Sequence, residues 1–215
     1  MKNFLIFGDS YSTHKDIIPE GYPHYYSNEG RCEDRPETKM TVSETWWGRF
    51  IENDGASLVH NNSWSGSTIG YTGYTGDCSE SSSFIYRYDQ LLKAGFFDKN
   101  EIDTVLVFGG TNDSWSNAPL GEEQYLDFKR EDLFSVLPAI CYFMKRLKDE
   151  LPDKRIVFIA NCEIKPVIIE AMRHSAERIG VDYVALSDVE KNFGHPTIKG
   201  MESIYNQVKK VIFNA

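Results

Sequence analysis

Ser10 follows a short apolar run, Phe4-Leu5-Ile6-Phe7, and His195 lies in the loop Asn192-Phe193-Gly194-His195-Pro196 near the other end of a 215-residue chain. A serine hydroxyl attacks a carbonyl carbon effectively only when a neighbouring base takes its proton. Histidine suits that task because its ordinary pKa of about 6.5 leaves it largely neutral at pH 7. The oxyanion formed by the attack then needs fixed hydrogen-bond donors. The backbone N–H groups of Ser10 and Gly66 and the side-chain amide of Asn112 are candidates. Each lies beyond an apolar run: Gly66 follows Ser57 to Val59 by way of Asn61 to Ser65, and Asn112 follows Thr104 to Phe108 by way of Gly109 to Thr111. Nucleophile, base and donors together describe acyl transfer.

Five β-rich apolar runs must position these residues: Phe4 to Phe7, Ser57 to Val59, Thr104 to Phe108, Ile156 to Ala160, and Tyr183 to Leu186. Helical patterns lie between them. One begins at the capping-box spacing of Thr41 and Glu44 and carries Trp47, Phe50 and Ile51 on one face. Others are expected over Ser82 to Ala94, Glu131 to Leu151, Pro166 to the residue before Gly180, and Lys199 to Phe213. Strands alternating with helices predict an α/β fold with a parallel sheet between helix layers, as one domain over residues 1–215. In such a sheet ligands bind beyond the carboxyl ends of the strands. All four candidates fall there, beside the long irregular stretches 11–40, 61–80 and 109–128.

The net charge of −9 disfavours nucleic acid and anionic membrane surfaces as partners. Cys32, Cys78, Cys141 and Cys162 contain no close pair of the kind a zinc site uses, so no metal is expected. No run approaches the length of a membrane span, and the N-terminal apolar stretch is too short for a signal-peptide core. A cytoplasmic location is the expectation. Oligomeric state is open. His14, His24, His60 and His174 belong to no recognisable ligand pair. The Ser-x-x-Lys string at Ser12 to Lys15 lacks its companion motifs and is set aside.

Gly8-Asp9-Ser10 is similar to the first conserved block of the SGNH (GDSL-type) serine hydrolases. Gly66, within Ser65-Gly66-Ser67-Thr68, resembles the second-block glycine, and Gly110-Thr111-Asn112-Asp113 resembles the third block. His195-Pro196 resembles the last. The blocks come in family order across essentially the whole chain. The resemblance implies a flavodoxin-like three-layer α/β/α sandwich with a five-stranded parallel sheet. It also implies ester hydrolysis through an acyl-serine, with Ser10, Gly66, Asn112 and His195 as catalytic residues and no cofactor. One position departs: the family usually carries Asp three residues before the histidine, and this chain has Asn192. Candidates to orient His195 instead are Asp188, Glu190, Glu163, or a backbone carbonyl near Asn192.

The irregular stretches are rich in aromatic residues: Tyr11, Tyr22, Tyr25, Tyr26, Trp64, Tyr71, Tyr74 and Trp115. Aromatic faces stack on sugar rings or pack acyl chains. A site walled by Trp64, Tyr71 and Trp115 favours a small-molecule ester substrate, an acylated sugar with a short acyl group. A lipid ester or thioester hydrolase is the alternative enzyme. A silent carbohydrate-binding module on the same fold is the alternative that Asn192 suggests.

Overall fold

Successive residues in each core strand point to opposite sides of one parallel sheet, so residues two apart share a face. The computed structural model describes residues 1–213. Its sheet strands are β1 (Asn3–Gly8), β2 (Ser57–Ser63), β3 (Thr104–Gly109), β4 (Arg155–Ala160) and β5 (Asp182–Ala185), in the spatial order β2-β1-β3-β4-β5. The helices that cover it are α1 (Gly48–Asp54), α2 (Phe84–Lys93), α3 (Val136–Glu150), α4 (Pro166–Ile179) and α5 (Ile198–Phe213). Leu5, Phe7, Val105, Val107 and Phe158 bury against Phe84, Phe143 and Met172 of α2, α3 and α4. Phe4, Ile6, Leu106, Phe108 and Ile159 bury on the other face against Trp46, Phe50 of α1, and Ile204 and Val208 of α5. The expected α/β/α sandwich is therefore present. Among the described residues no helix is long and apolar enough to cross a membrane.

Two expected helices are broken near their starts. The capping box at Thr41 forms, but it closes only the 3-10 turn Val42–Glu44, and Thr45 is extended. Helix α1 then starts at Gly48, where an added Cβ would lie 1.8 Å from the Val42 carbonyl oxygen. Only glycine permits that approach. Likewise, Arg130–Phe134 is a separate 3-10 turn and Ser135 is extended before α3. Backbone hydrogen bonds from Tyr71 to the Leu133 carbonyl and from Val136 to the Pro119 carbonyl tie this break to the long loops. Tertiary partners override the local helical pattern there.

Strand β1 leads to β2 on one side, and the chain then crosses to β3 on the other. The loops after β1 and β3 diverge at this switch point and leave a crevice between them. Ser10 and Asn112 stand on those two loops.

Candidate active site

Asp9 follows the first strand and accepts a hydrogen bond at Oδ1 from the Tyr11 backbone N–H, capping the 3-10 turn Ser10–Ser12. This turn carries Ser10, which is 6% exposed. Burial raises the Asp9 carboxyl to about 7. The opposite edge of the crevice is a tight hairpin in which Asn192 pairs with His195 across Phe193 and Gly194. Both turn residues have positive φ, 47° and 75°. That conformation suits a two-residue hairpin, but phenylalanine adopts it at a steric cost.

The hairpin brings His195 to Ser10: Nε2 lies 3.0 Å from the serine Oγ. On the other side of the ring, Nδ1 lies 3.1 Å from the Phe193 carbonyl oxygen. A carbonyl only accepts, so Nδ1 carries the proton and Nε2 is left as the acceptor facing Ser10. Burial lowers the imidazole pKa to about 4, against the opposing pull of the Phe193 carbonyl and the Glu37 charge. The ring is therefore neutral at pH 7.

Three tyrosines hold the histidine segment. The Tyr11 hydroxyl donates to the Gly194 carbonyl and the Tyr26 hydroxyl donates to the Pro196 carbonyl, one on each side of His195. The Tyr25 ring lies flat on the imidazole, 3.5 Å away and 6° from parallel. Tyr11 in turn accepts from Asn161, whose side-chain oxygen accepts from Lys191 at the base of the hairpin. The sequence pattern marked these tyrosines only as loop aromatics; nothing in their local spacing assigns them to the histidine.

Gly66 occupies the turn closed by the Ser67 N–H and the Trp64 carbonyl, with φ of 84°. It is the third residue of that turn, where a positive φ favours glycine. Asn112 sits at the start of the short helix Thr111–Trp115 and donates from Nδ2 to the Ser67 carbonyl at 2.9 Å. Its Oδ1 accepts from the Tyr74 hydroxyl at 3.0 Å. One amide N–H of Asn112 is thus committed, and the second is left for another acceptor. Asp113 locks the same two loops together by accepting from the Ile69 and Gly70 N–H groups. The structure brings Ser10 and His195 into contact and couples the Gly66 turn to Asn112.

The acidic candidates lie elsewhere. Glu190 accepts from the Thr197 hydroxyl, Glu163 pairs with Lys191 at 2.9 Å, and Asp188 has a φ of 50° in the loop after β5. Asn192 donates to Glu37 Oε2. Among the aromatic walls, Tyr71 is misplaced: it is 8% exposed and packs in the core against Phe134. The backbone link from Tyr71 to Leu133 draws it inward. Trp64 is partly buried against Tyr22. Trp115, Tyr74 and Phe193 are the exposed rings, at 38%, 54% and 59%. Among the described residues, no cluster of three or more His, Cys, Asp or Glu side chains is placed to hold a metal ion.

The family profile for GDSL-like lipases and acylhydrolases matches residues 2–212. The fold is similar to that of a protein assigned as a GDSL-like lipase from Bacteroides ovatus, with 34% identity, TM-score 0.89, and coverage of 100% of this chain and 99% of the other. A counterpart from Bacteroides uniformis is 39% identical, with TM-score 0.88 and coverage of 100% and 96%. An acetyl xylan esterase from the rumen bacterium Butyrivibrio proteoclasticus shares the fold at 17% identity and TM-score 0.62, over 99% of this chain and 64% of its own. No curated protein sequence matches significantly.

Proposed function

This chain belongs to the GDSL-like lipase/acylhydrolase family, and from that premise we propose that it is a serine esterase using Ser10 as nucleophile and His195 as general base. The contact of 3.0 Å between His195 Nε2 and Ser10 Oγ carries the reading. As Ser10 Oγ bonds to the acyl carbon, its proton passes to Nε2 and the carbonyl electrons move onto oxygen. The Ser10 and Gly66 N–H groups and the free Asn112 N–H receive that oxyanion. Collapse of the intermediate expels the alcohol, which takes the proton back from the imidazolium. Water then repeats the sequence on the acyl-serine and releases the acid. The Phe193 carbonyl orients the imidazole in place of a carboxylate.

The substrate in this reading is a small ester, an acetylated carbohydrate. Trp115 and Tyr74 present exposed rings beside His195 and Asn112, Phe193 offers the face that Arg35 leaves open, and flat apolar faces suit a sugar ring. The likeness in fold to an acetyl xylan esterase agrees with this choice. Hydrolysis of p-nitrophenyl acetate by the wild type and by Ser10→Ala tests the mechanism, together with fluorophosphonate labelling read by mass spectrometry. Turnover and labelling are expected to disappear in the variant while its fold is kept. Equal turnover in both proteins rejects the serine mechanism. Ligand binding without turnover in either points to a silent binding module.

A further inference from the structure

Asn192 stands at the position where the family usually has an acidic residue, yet its amide points away from the imidazole. It donates to Glu37 Oε2 at 3.2 Å. Glu37 lies far away in sequence, in the 3-10 turn Pro36–Thr38 of the first long loop. Its other oxygen accepts from the Tyr25 hydroxyl at 2.9 Å, and its side chain is only 1% exposed. The Tyr25 ring that makes this bond is the one stacked flat on His195. Glu37 therefore reaches the histidine along two paths: through the face of the ring, and through the hairpin that carries it.

We propose that Glu37 is the positioning carboxylate of this active site, fixing the plane of His195 through Tyr25 and its hairpin through Asn192, and setting a buried negative charge beside the imidazolium that forms during attack. The inference rests on the reading of Ser10 and His195 as nucleophile and base. The Tyr25 hydroxyl and the Asn192 amide each bond a separate oxygen, a match that a glutamine, with one carbonyl oxygen, would keep only if Asn192 turned its amide round. The charge of the carboxylate acts on Arg35, 3.8 Å away, and on one further neighbour. That neighbour is the imidazole, whose cationic form burial disfavours and whose Nδ1 meets only a neutral carbonyl.

Other groups face the ring as well. Arg31 and Arg35 come from the same loop as Glu37 and oppose its charge, with Arg35 Nη1 lying 3.8 Å from Glu37. Tyr11 approaches from the turn that bears Ser10, with the Lys191 ammonium over its ring. Lys191 is itself paired with Glu163. Glu37 and Arg35 therefore make a signed pair: removing one charge should move the histidine in the direction opposite to removing the other.

The test is the pH dependence of p-nitrophenyl acetate hydrolysis by the wild type, Glu37→Gln, Arg35→Gln and Tyr25→Phe, with Ser10→Ala alongside. Glu37→Gln should lower kcat about tenfold, leave KM and Tm nearly unchanged, and shift the acid limb of kcat/KM downward. Arg35→Gln should shift that limb upward. Tyr25→Phe keeps the stack, loses the hydroxyl, and should show part of the kcat loss. A Glu37→Gln kcat within twofold of wild type overturns the inference. So does a loss that comes with a lowered Tm and an unmoved acid limb, since that is a merely structural effect. If Ser10→Ala retains turnover, the underlying reading fails instead. NMR titration of the His195 ring then decides the inference separately, because its pKa must still fall in Glu37→Gln.

Discussion

Arg87 donates from Nη2 to the carbonyl oxygen of Gly8, 3.2 Å away, two residues before Ser10. This guanidinium is 1% exposed, and its partners are neutral: it also reaches the Ser67 hydroxyl, the Ser82 carbonyl and the Asn62 carbonyl. Burial pulls its pKa down to about 9, so it stays charged at pH 7. One side chain thus ties together the ends of β1 and β2 and the loop containing Gly66. Arg87→Leu leaves several buried carbonyls unpaired, each costing about 1–3 kcal/mol. A loss of roughly 3 kcal/mol or more in chemical denaturation is expected, with esterase activity falling at temperatures below the new Tm. Stability within about 0.5 kcal/mol of wild type, the range of ordinary surface substitutions, would contradict this account.

The buried imidazole sets the pH response. With His195 lowered to about 4 by burial, the base stays unprotonated well below its ordinary 6.5. The acid limb of kcat/KM should lie clearly below pH 6.5, and activity at pH 5.5 should be close to that at pH 7. The same shift affects stability. Between the unfolded and folded values the unfolded chain binds more protons, so this contribution is complete above pH 6.5 and is lost as pH falls toward 4. His195→Gln should therefore show a shallower loss of Tm than wild type over that interval. A steady-state pH profile and a Tm series check the two halves separately.

Asn112 and Tyr74 should behave as donor and support. Removing an oxyanion donor typically costs about 10²–10³ in kcat, and Asn112→Ala is expected to fall in that range with little change in KM. Tyr74→Phe removes only the bond to Asn112 Oδ1, and should lower kcat by a smaller factor of about 5–10. In the double variant, Tyr74→Phe should add almost nothing to Asn112→Ala. Additive losses would mean that the Tyr74 hydroxyl acts independently of Asn112.

Much of this arrangement is legible from local sequence, and the rest is not, for a physical reason. Phe4 to Phe7 and Thr104 to Phe108 announce buried strands because their side chains must fill both faces of a covered sheet. The four block residues can be picked out because each lies within about three residues of a strand's carboxyl end or beside a proline. Glu37 and Tyr25 leave no such mark: the bond between Asn192 and Glu37 spans 155 residues, and no periodicity encodes it. Tyr71 and Tyr74 are three residues apart in the same stretch, yet one is buried and the other exposed. Long-range contacts distinguish them: Tyr71 bonds Leu133 and packs on Phe134, while Tyr74 reaches Asn112. The break at Ser135 is hidden for the same reason, since Val136 and Leu137 bond to the carbonyls of Pro119 and Leu120.

Substrate choice should follow the exposed rings. Ester hydrolysis is expected to peak at acetate or propionate and decline toward octanoate, because methylenes without an apolar pocket add nothing to transition-state binding. Trp115→Ala should reduce kcat/KM on an acetylated xylose more than on p-nitrophenyl acetate, since only the sugar needs the stacking face. Comparing acetate, butyrate, octanoate and acetylated xylose decides the matter. A maximum at octanoate would instead favour a lipid ester as substrate.

The bond between Ser10 and His195 spans 185 residues, from the end of the first strand to the hairpin just before α5. Contacts of such separation form late, after chain-closure entropy has been overcome and the intervening elements have docked. The nucleophile stands just past the first strand, while its base is carried by the segment before the last helix. Esterase activity is then a timer for the completion of folding. In refolding from denaturant, the return of activity should trail the return of helical circular dichroism.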